Sequence, residues 1–279
     1  MAEPNRLQAV LFDEQGIIGI AAGYPLRLQQ TVTNLHGLPR GPHVSMPLVN
    51  QIGEAHGKVR IVGGTPRRNG MMALLDPVTL VTSDVEVVGT DCLTGFAELS
   101  DVYVAVNAKG MLFHRTRGGT WTEQPAHQGA CTGIIKVNNR TFVTFGVDGL
   151  IHIWDHTCKK VGTLEGHSAG ITGASLSPDG NITTVSSDRS VRVWDVLRQR
   201  QRMFFKGFEN PLLYVHSMRD LIVVIDTAGQ VFSIGDTGKP VNLGGRTGYP
   251  CCSWVNPDKP LAVFIATRAG KIHRFPIDD

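Results

Sequence analysis

The sequence predicts an all-β fold, a ring of small antiparallel sheets forming one domain over residues 1–279. Three observations predict it. An eight-residue segment recurs at a step of forty: DGLIHIWD at 148–155 and DRSVRVWD at 188–195 set Trp154 and Trp194 forty residues apart. The chain holds 32 glycines and 15 prolines with only 18% charged residues, which suits many short strands joined by turns and not a disordered or coiled-coil chain. In nearly every copy of the repeat a glycine-containing turn leads into an alternating strand, the mark of a hairpin.

Stepping outward from the two clear copies finds five weaker ones. The tryptophan position is held by Ala21, Leu75, Arg115, Trp154, Trp194, Ile234 and Phe275 in turn. The corresponding hairpins lie near 6–21, 58–75, 101–115, 140–154, 181–194, 220–234 and 261–275. One such sheet cannot bury both of its faces, but stacking around a ring covers them and leaves only short edges. Seven hairpins therefore predict a seven-bladed β-propeller. In the clearest blade, 171–177 reads as an inner strand, 181–187 as the next, 190–195 as the third, and SPDG at 177–180 as the turn between the first two. Only 15 residues precede the turn at Gly16. The first blade is then expected to lack its inner strand and the last its outer one. This implies an atypical closure or a strand supplied by a partner.

At these residues the chain resembles a known family. GHSAGITGASLSPDGNITTVSSDRSVRVWD, residues 166–195, looks like a full WD40 repeat, and 126–155 resembles it with Ala126–His127 replacing the usual Gly-His pair. The resemblance implies a buried hydrogen-bonded chain in each blade. In the first it would join His127, Thr144, Asp148 and Trp154. In the second it would join His167, Asp188 and Trp194, with Thr184 or Ser186 supplying the hydroxyl. A serine or threonine, a histidine and an aspartate also invite comparison with a hydrolase triad. The trio recurs at repeat positions, as structural units do, and no GxSxG turn exists. The expectation is a non-enzymatic protein without cofactor.

Other residue groups carry weaker signals. His152 and His156 are four apart, but in and just after a strand that spacing separates them, so no metal site is expected. GGTPRRNG at 63–70 lacks the Gly-Lys-Ser/Thr of a phosphate loop and reads as a hairpin tip carrying Arg67 and Arg68. Arg198, Arg200 and Arg202 alternate along a predicted outer strand and are expected to face one way, next to Lys206. Charge there protects a sheet edge from pairing, or offers a face to an anion or an acidic partner. Phe204–Gly207, FFKG, lies where propellers of the PROPPIN type carry an FRRG motif. This looser similarity implies, as an alternative, a phosphoinositide-binding membrane adaptor, although Phe205 and Lys206 stand where the paired arginines would be. The segment 33–56, rich in Pro, Gly and His, reads as a long loop, either a binding element or an unstructured excursion.

The net charge of +3 indicates no specific nucleic-acid partner. Five cysteines without CxxC spacing argue for a reducing compartment. No signal peptide or transmembrane segment is read from the N-terminus or the short apolar runs. The sequence thus predicts a cytoplasmic, or alternatively nuclear, interaction scaffold: an adaptor binding proteins or peptides, with acidic lipid headgroups as the alternative ligand.

Overall fold

Runs of alternating residues become strands along the whole chain. The computed structural model describes residues 7–13, 16–22, 27–28, 48–55, 58–75, 82–235, 237–255, 262–267 and 272–277. Among these the strands form seven antiparallel sheets. The first holds β1 (Leu7–Asp13), β2 (Gly16–Ala22) and β3 (Arg27–Leu28); the second β4 (Leu48–Ala55), β5 (Lys58–Thr65), β6 (Asn69–Leu75) and β7 (Thr82–Val88). The third holds β8 (Leu93–Glu98), β9 (Val102–Asn107), β10 (Met111–Thr116) and β11 (Thr122–Pro125); the fourth β12 (Cys131–Asn138), β13 (Thr141–Gly146), β14 (Ile151–Asp155) and β15 (Lys160–Leu164). The fifth holds β16 (Ile171–Leu176), β17 (Ile182–Ser186), β18 (Val191–Asp195) and β19 (Arg200–Phe205); the sixth β20 (Leu212–Ser217), β21 (Ile222–Asp226), β22 (Val231–Ile234) and β23 (Pro240–Gly244). The seventh holds β24 (Pro250–Val255), β25 (Ala262–Thr267) and β26 (Ile272–Pro276). Each sheet is a simple meander in chain order.

The first strands of the sheets lie side by side in the order β1, β4, β8, β12, β16, β20 and β24, and β24 lies beside β1. The sheets therefore stack face to face, and the core forms between neighbours. Trp154 and Phe142 of the fourth sheet pack with Leu112 and Val104 of the third. Trp194 and Ile182 of the fifth pack with Ile151 and Val143 of the fourth. This is a β-propeller.

A bulge early in the first strand recurs from sheet to sheet. The register slips between Val49 and Gln51, Leu93 and Gly95, Cys131 and Gly133, and Ile171 and Gly173. A bulge turns one extra residue away from its own ladder. At three of these positions that residue reaches the next sheet: Asn50 donates to the Leu93 carbonyl (2.6 Å), Thr132 Oγ1 to Ile171 (2.7 Å) and Thr172 Oγ1 to Leu212 (2.7 Å). After Thr172 a glycine permits the close approach: a Cβ on Gly173 would lie 2.6 Å from the Leu213 carbonyl oxygen. Replacing Thr172 with valine keeps the shape and removes the link, so a loss of about 1 kcal/mol is expected in denaturant unfolding.

Two expectations change. The segment 33–56 is not one long loop: Leu48–Ala55 is the first strand of the second sheet, and 33–47 lie outside the described residues. The first sheet does not lack its inner strand. β1 lies beside β4 and β24, so the hairpin near 6–21 fills the first and second positions, and Arg27–Leu28 fills the third where spacing placed Ala21. The reason is that a step of forty cannot tell one hairpin of a meander from the next. Among the described residues the first and seventh sheets hold three strands each.

Candidate functional site: two buried histidine networks and a basic outer strand

The hairpin turn after β13 brings Asp148 back toward His127, which precedes β12, while β13 and β14 set Thr144 and Trp154 on the same face. Trp154 Nε1 donates to Thr144 Oγ1 at 2.9 Å, and Thr144 Oγ1 lies 2.8 Å from His127 Nε2. His127 Nδ1 lies 3.0 Å from each Asp148 oxygen. The ionised carboxylate only accepts, so Nδ1 carries the hydrogen; burial favours the neutral ring, whose Nε2 then accepts from the threonine hydroxyl, itself an acceptor for the indole. The histidine is neutral in this arrangement. The fifth sheet repeats it, with Trp194 Nε1 to Thr184 Oγ1 at 2.8 Å, Thr184 Oγ1 to His167 Nε2 at 2.8 Å and His167 Nδ1 to Asp188 Oδ2 at 2.9 Å. Between the two hydroxyls open at this position, the network uses Thr184. Ser186 Oγ instead bonds the Ala169 and Gly170 carbonyls and accepts from the Asp188 N–H.

Both histidine side chains are fully buried, and burial holds their pKa values below the ordinary 6.5 despite the neighbouring carboxylates. Burial alone would raise the two carboxyls. Hydrogen bonds from His127 and the Leu150 and Gln128 amides outweigh it at Asp148, and those from Ser190, His167 and the Ser168 amide outweigh it at Asp188, so both lie below the ordinary value. Thr144 and Thr184 are wholly buried, each between an indole and an imidazole.

One donor cluster emerges that sequence spacing missed. Ligand atoms of His127, Asp148 and His152 lie within 4.8 Å of one another. Both His127 nitrogens are already engaged within the network, and His152 Nδ1 meets Thr163 Oγ1 at 3.0 Å. A metal would have to displace Asp148 or Thr144. The pairing of His152 with His156 plays no part in this cluster.

Where the histidine network is absent, other contacts hold the sheets. Arg115, in the tryptophan position, forms an ion pair with Glu86 of the second sheet at 2.7 Å and lies 4.9 Å over the Trp121 ring. Trp121 Nε1 donates to the other Glu86 oxygen at 3.1 Å. Arg60 lies 4.5 Å over Phe96 and pairs with Glu98 at 3.7 Å. An arginine in a tryptophan slot was the sequence signal for this arrangement, but its acidic partner comes from another sheet. Glu86→Ala is expected to destabilise by about 1–2 kcal/mol, and the cycle with Arg115→Ala to show strong coupling. Additive losses would mean that the pair acts as two separate surface contacts. In the sixth sheet Phe208 takes the histidine position and packs edge-on to Phe232, ring centroids 5.2 Å apart.

The predicted basic residues are separated. Arg198 sits in the turn before β19, pairing with Asp195 at 2.9 Å, and Arg200 lies 4.0 Å from the same carboxylate. A bulge on β19 between Gln201 and Met203 turns Arg202 out of alternation, 3.9 Å from Asp179. The three arginines therefore do not share one face, because alternation holds only within a regular ladder. Lys206 follows β19 and is exposed. In the FFKG segment, Phe204 and Phe205 belong to β19, and Phe205 packs into the core shared with the sixth sheet. Arg67 and Arg68 are exposed on the tight turn between β5 and β6, where the Arg67 amide bonds Asp91 Oδ1 at 2.8 Å. They belong to the second sheet, apart from the arginines of the fifth.

A family model described as WD domain, G-beta repeat, matches residues 158–195. Mitochondrial division protein 1 of Aspergillus niger is 33% identical over 89 residues, 31% of this chain and 13% of that protein. Protein transport protein sec13 of Emericella nidulans is 41% identical over 64 residues, 20% of this chain and 21% of that protein. The U3 snoRNP-associated protein-like EMB2271 of Arabidopsis thaliana is 24% identical over 134 residues, 46% of this chain and 28% of that protein. The matched stretches thus span less than a third of each relative. Among solved structures, the computationally designed Ika8 protein superposes with a TM-score of 0.73 over 99% of this chain and 97% of its own, at 15% identity. The structure of U3-55K superposes with a TM-score of 0.58 over 66% of this chain and 61% of its own, also at 15% identity. These likenesses speak for the fold. The matched repeat, a second copy of its buried network one sheet earlier and the architecture around both make this fold a β-propeller of the WD40-repeat kind.

Proposed function

We propose that this chain is a non-enzymatic scaffold, a single β-propeller domain over residues 1–279 that holds other proteins in a complex. One observation carries the reading: the side chains equipped for chemistry are spent on internal bonds, while the outer strands and turns expose a varied surface. His127, Asp148, Thr144, His167, Asp188 and Thr184 satisfy one another inside the sheets. Met203, Phe204, Arg198, Arg200 and Arg202 stand at the surface. A stiff ring that presents variable loops and edges suits binding. The relatives' names, a division protein, a transport protein and a ribonucleoprotein-associated protein, fit assembly roles. No described helix is long and apolar enough to cross a membrane. Affinity purification of the full chain followed by mass spectrometry is expected to recover partners in fixed stoichiometry. A chain that runs alone under all salt conditions overturns the proposal.

A further inference from the structure

We propose that the cleft between the fifth and sixth sheets, bordered by β19, receives an extended acidic peptide of a partner protein; the inference rests on the scaffold reading and gives it a surface. Four observations meet there.

The first is a cavity of ≈ 550 Å³ between the two sheets. Met203 and Phe205 of β19 form one wall, and Ile222 and Ile234 of the sixth sheet the other. A space of this size and lining takes one or two aliphatic side chains. The second is Ser217. It lines the cavity, and its Oγ, shielded from solvent, has no hydrogen-bond partner among the described residues. Buried hydroxyls are rarely left this way, and a polar backbone or side-chain group of an occupant would satisfy it.

The third is β19 itself. It is the outermost strand of its sheet among the described residues, so one row of its backbone groups is unpaired by that sheet. Its six residues, RQRMFF, contain no acid, and Met203 and Phe204 are 49% and 44% exposed. Natural outer strands blunt their edges with charge, and the arginines do so against copies of themselves. An acidic strand meets no such repulsion. A peptide added along this edge would send alternate side chains toward the cavity.

The fourth is charge. Arg202 and Arg219 line the cavity from the two sheets. Asp179 and Asp220 also line it, on the turns, but the Arg202–Asp179 contact is loose at 3.9 Å, with both side chains about half exposed. Such a pair holds little energy and yields easily to an incoming carboxylate. Around the start of the strand and the cavity four arginines, Arg198, Arg200, Arg202 and Arg219, stand with three acids, Asp179, Asp195 and Asp220. The arginines do not converge on one point, which disfavours a single phosphate and suits carboxylates spaced along a chain.

The test is selection from a displayed random dodecapeptide library on the full chain, followed by titration of the selected peptides. Arg202→Glu, Arg219→Glu and Met203→Ser are the variants, each first required to melt like the parent. The expected result is enrichment of peptides alternating acidic and aliphatic residues. Their affinity should fall about tenfold in each arginine variant and weaken with added salt. Amide exchange should slow over 200–206 when they bind. Selected peptides that bind all variants equally would remove this surface while leaving the scaffold reading intact. Binding of phosphatidylserine vesicles, lost in the same variants and without acidic-peptide enrichment, would overturn the proposal in favour of a membrane. Enrichment of nothing acidic would overturn it as well.

Discussion

Replacing Thr184 with valine is expected to destabilise the protein by about 3 kcal/mol, because one hydroxyl serves two buried partners. Thr184 Oγ1 accepts from Trp194 Nε1 and meets His167 Nε2, each at 2.8 Å, and the residue is 0% exposed. Valine keeps the volume and leaves a buried indole N–H and imidazole nitrogen without this partner. Each orphaned group costs roughly 1–3 kcal/mol. Thr184→Ser keeps the hydroxyl and loses a methyl group, so it should cost only about 1 kcal/mol. Denaturant unfolding of the three proteins gives the comparison. Valine and serine variants of equal stability would show that packing, and not the hydrogen bonds, holds this position. The same pair of changes at Thr144 should behave alike, since Trp154 and His127 meet it in the same geometry.

Stability should fall as the pH is lowered from about 7 to about 4, well before the carboxylates titrate. His152 and His216 are held by burial near pKa 4, against 6.5 for an ordinary histidine. Burial also lowers His127 and His167. These groups stay neutral in the folded chain while the unfolded chain takes up protons around pH 6.5. In that window the unfolded state binds more protons, so each step downward favours unfolding. At about pH 5, His152 and His216 should each remove about 1–2 kcal/mol. Asp148 and Asp188, with lowered pKa values, add their own loss only at more acidic pH. Melting followed across this range should slope downward toward acid, and His216→Gln should flatten the slope. A melting temperature that is level or rises between pH 7 and 5 would contradict the neutral, buried histidines.

The repeat was legible because a propeller writes its periodicity into the chain. Trp154 and Trp194 sit forty residues apart because each ends the third strand of one meander, and His127 and His167 precede them by the same interval. Even Thr132 and Thr172 keep the step, though their role is invisible without the bulge that turns them outward. The β19 arginines were misplaced for the same reason: a bulge changes which way a side chain points while leaving the pattern of letters intact. Glu86 could not be paired with Arg115 from sequence, since 29 residues and a sheet boundary separate them.

By itself, the sequence determined the strand content and the forty-residue step, and its resemblance to a known repeat named the members of the two buried networks except for the choice between Thr184 and Ser186, because each depends on neighbours within one sheet. The tertiary structure alone decided which sheets touch, where the first hairpin sits within its sheet, and which exposed residues border a common cleft. Those depend on how separate sheets stack. Hydrogen-bond ladders impose a local period that can be read from the chain, while which side chains meet between sheets also depends on bulges and surface shape, which the pattern of letters does not show.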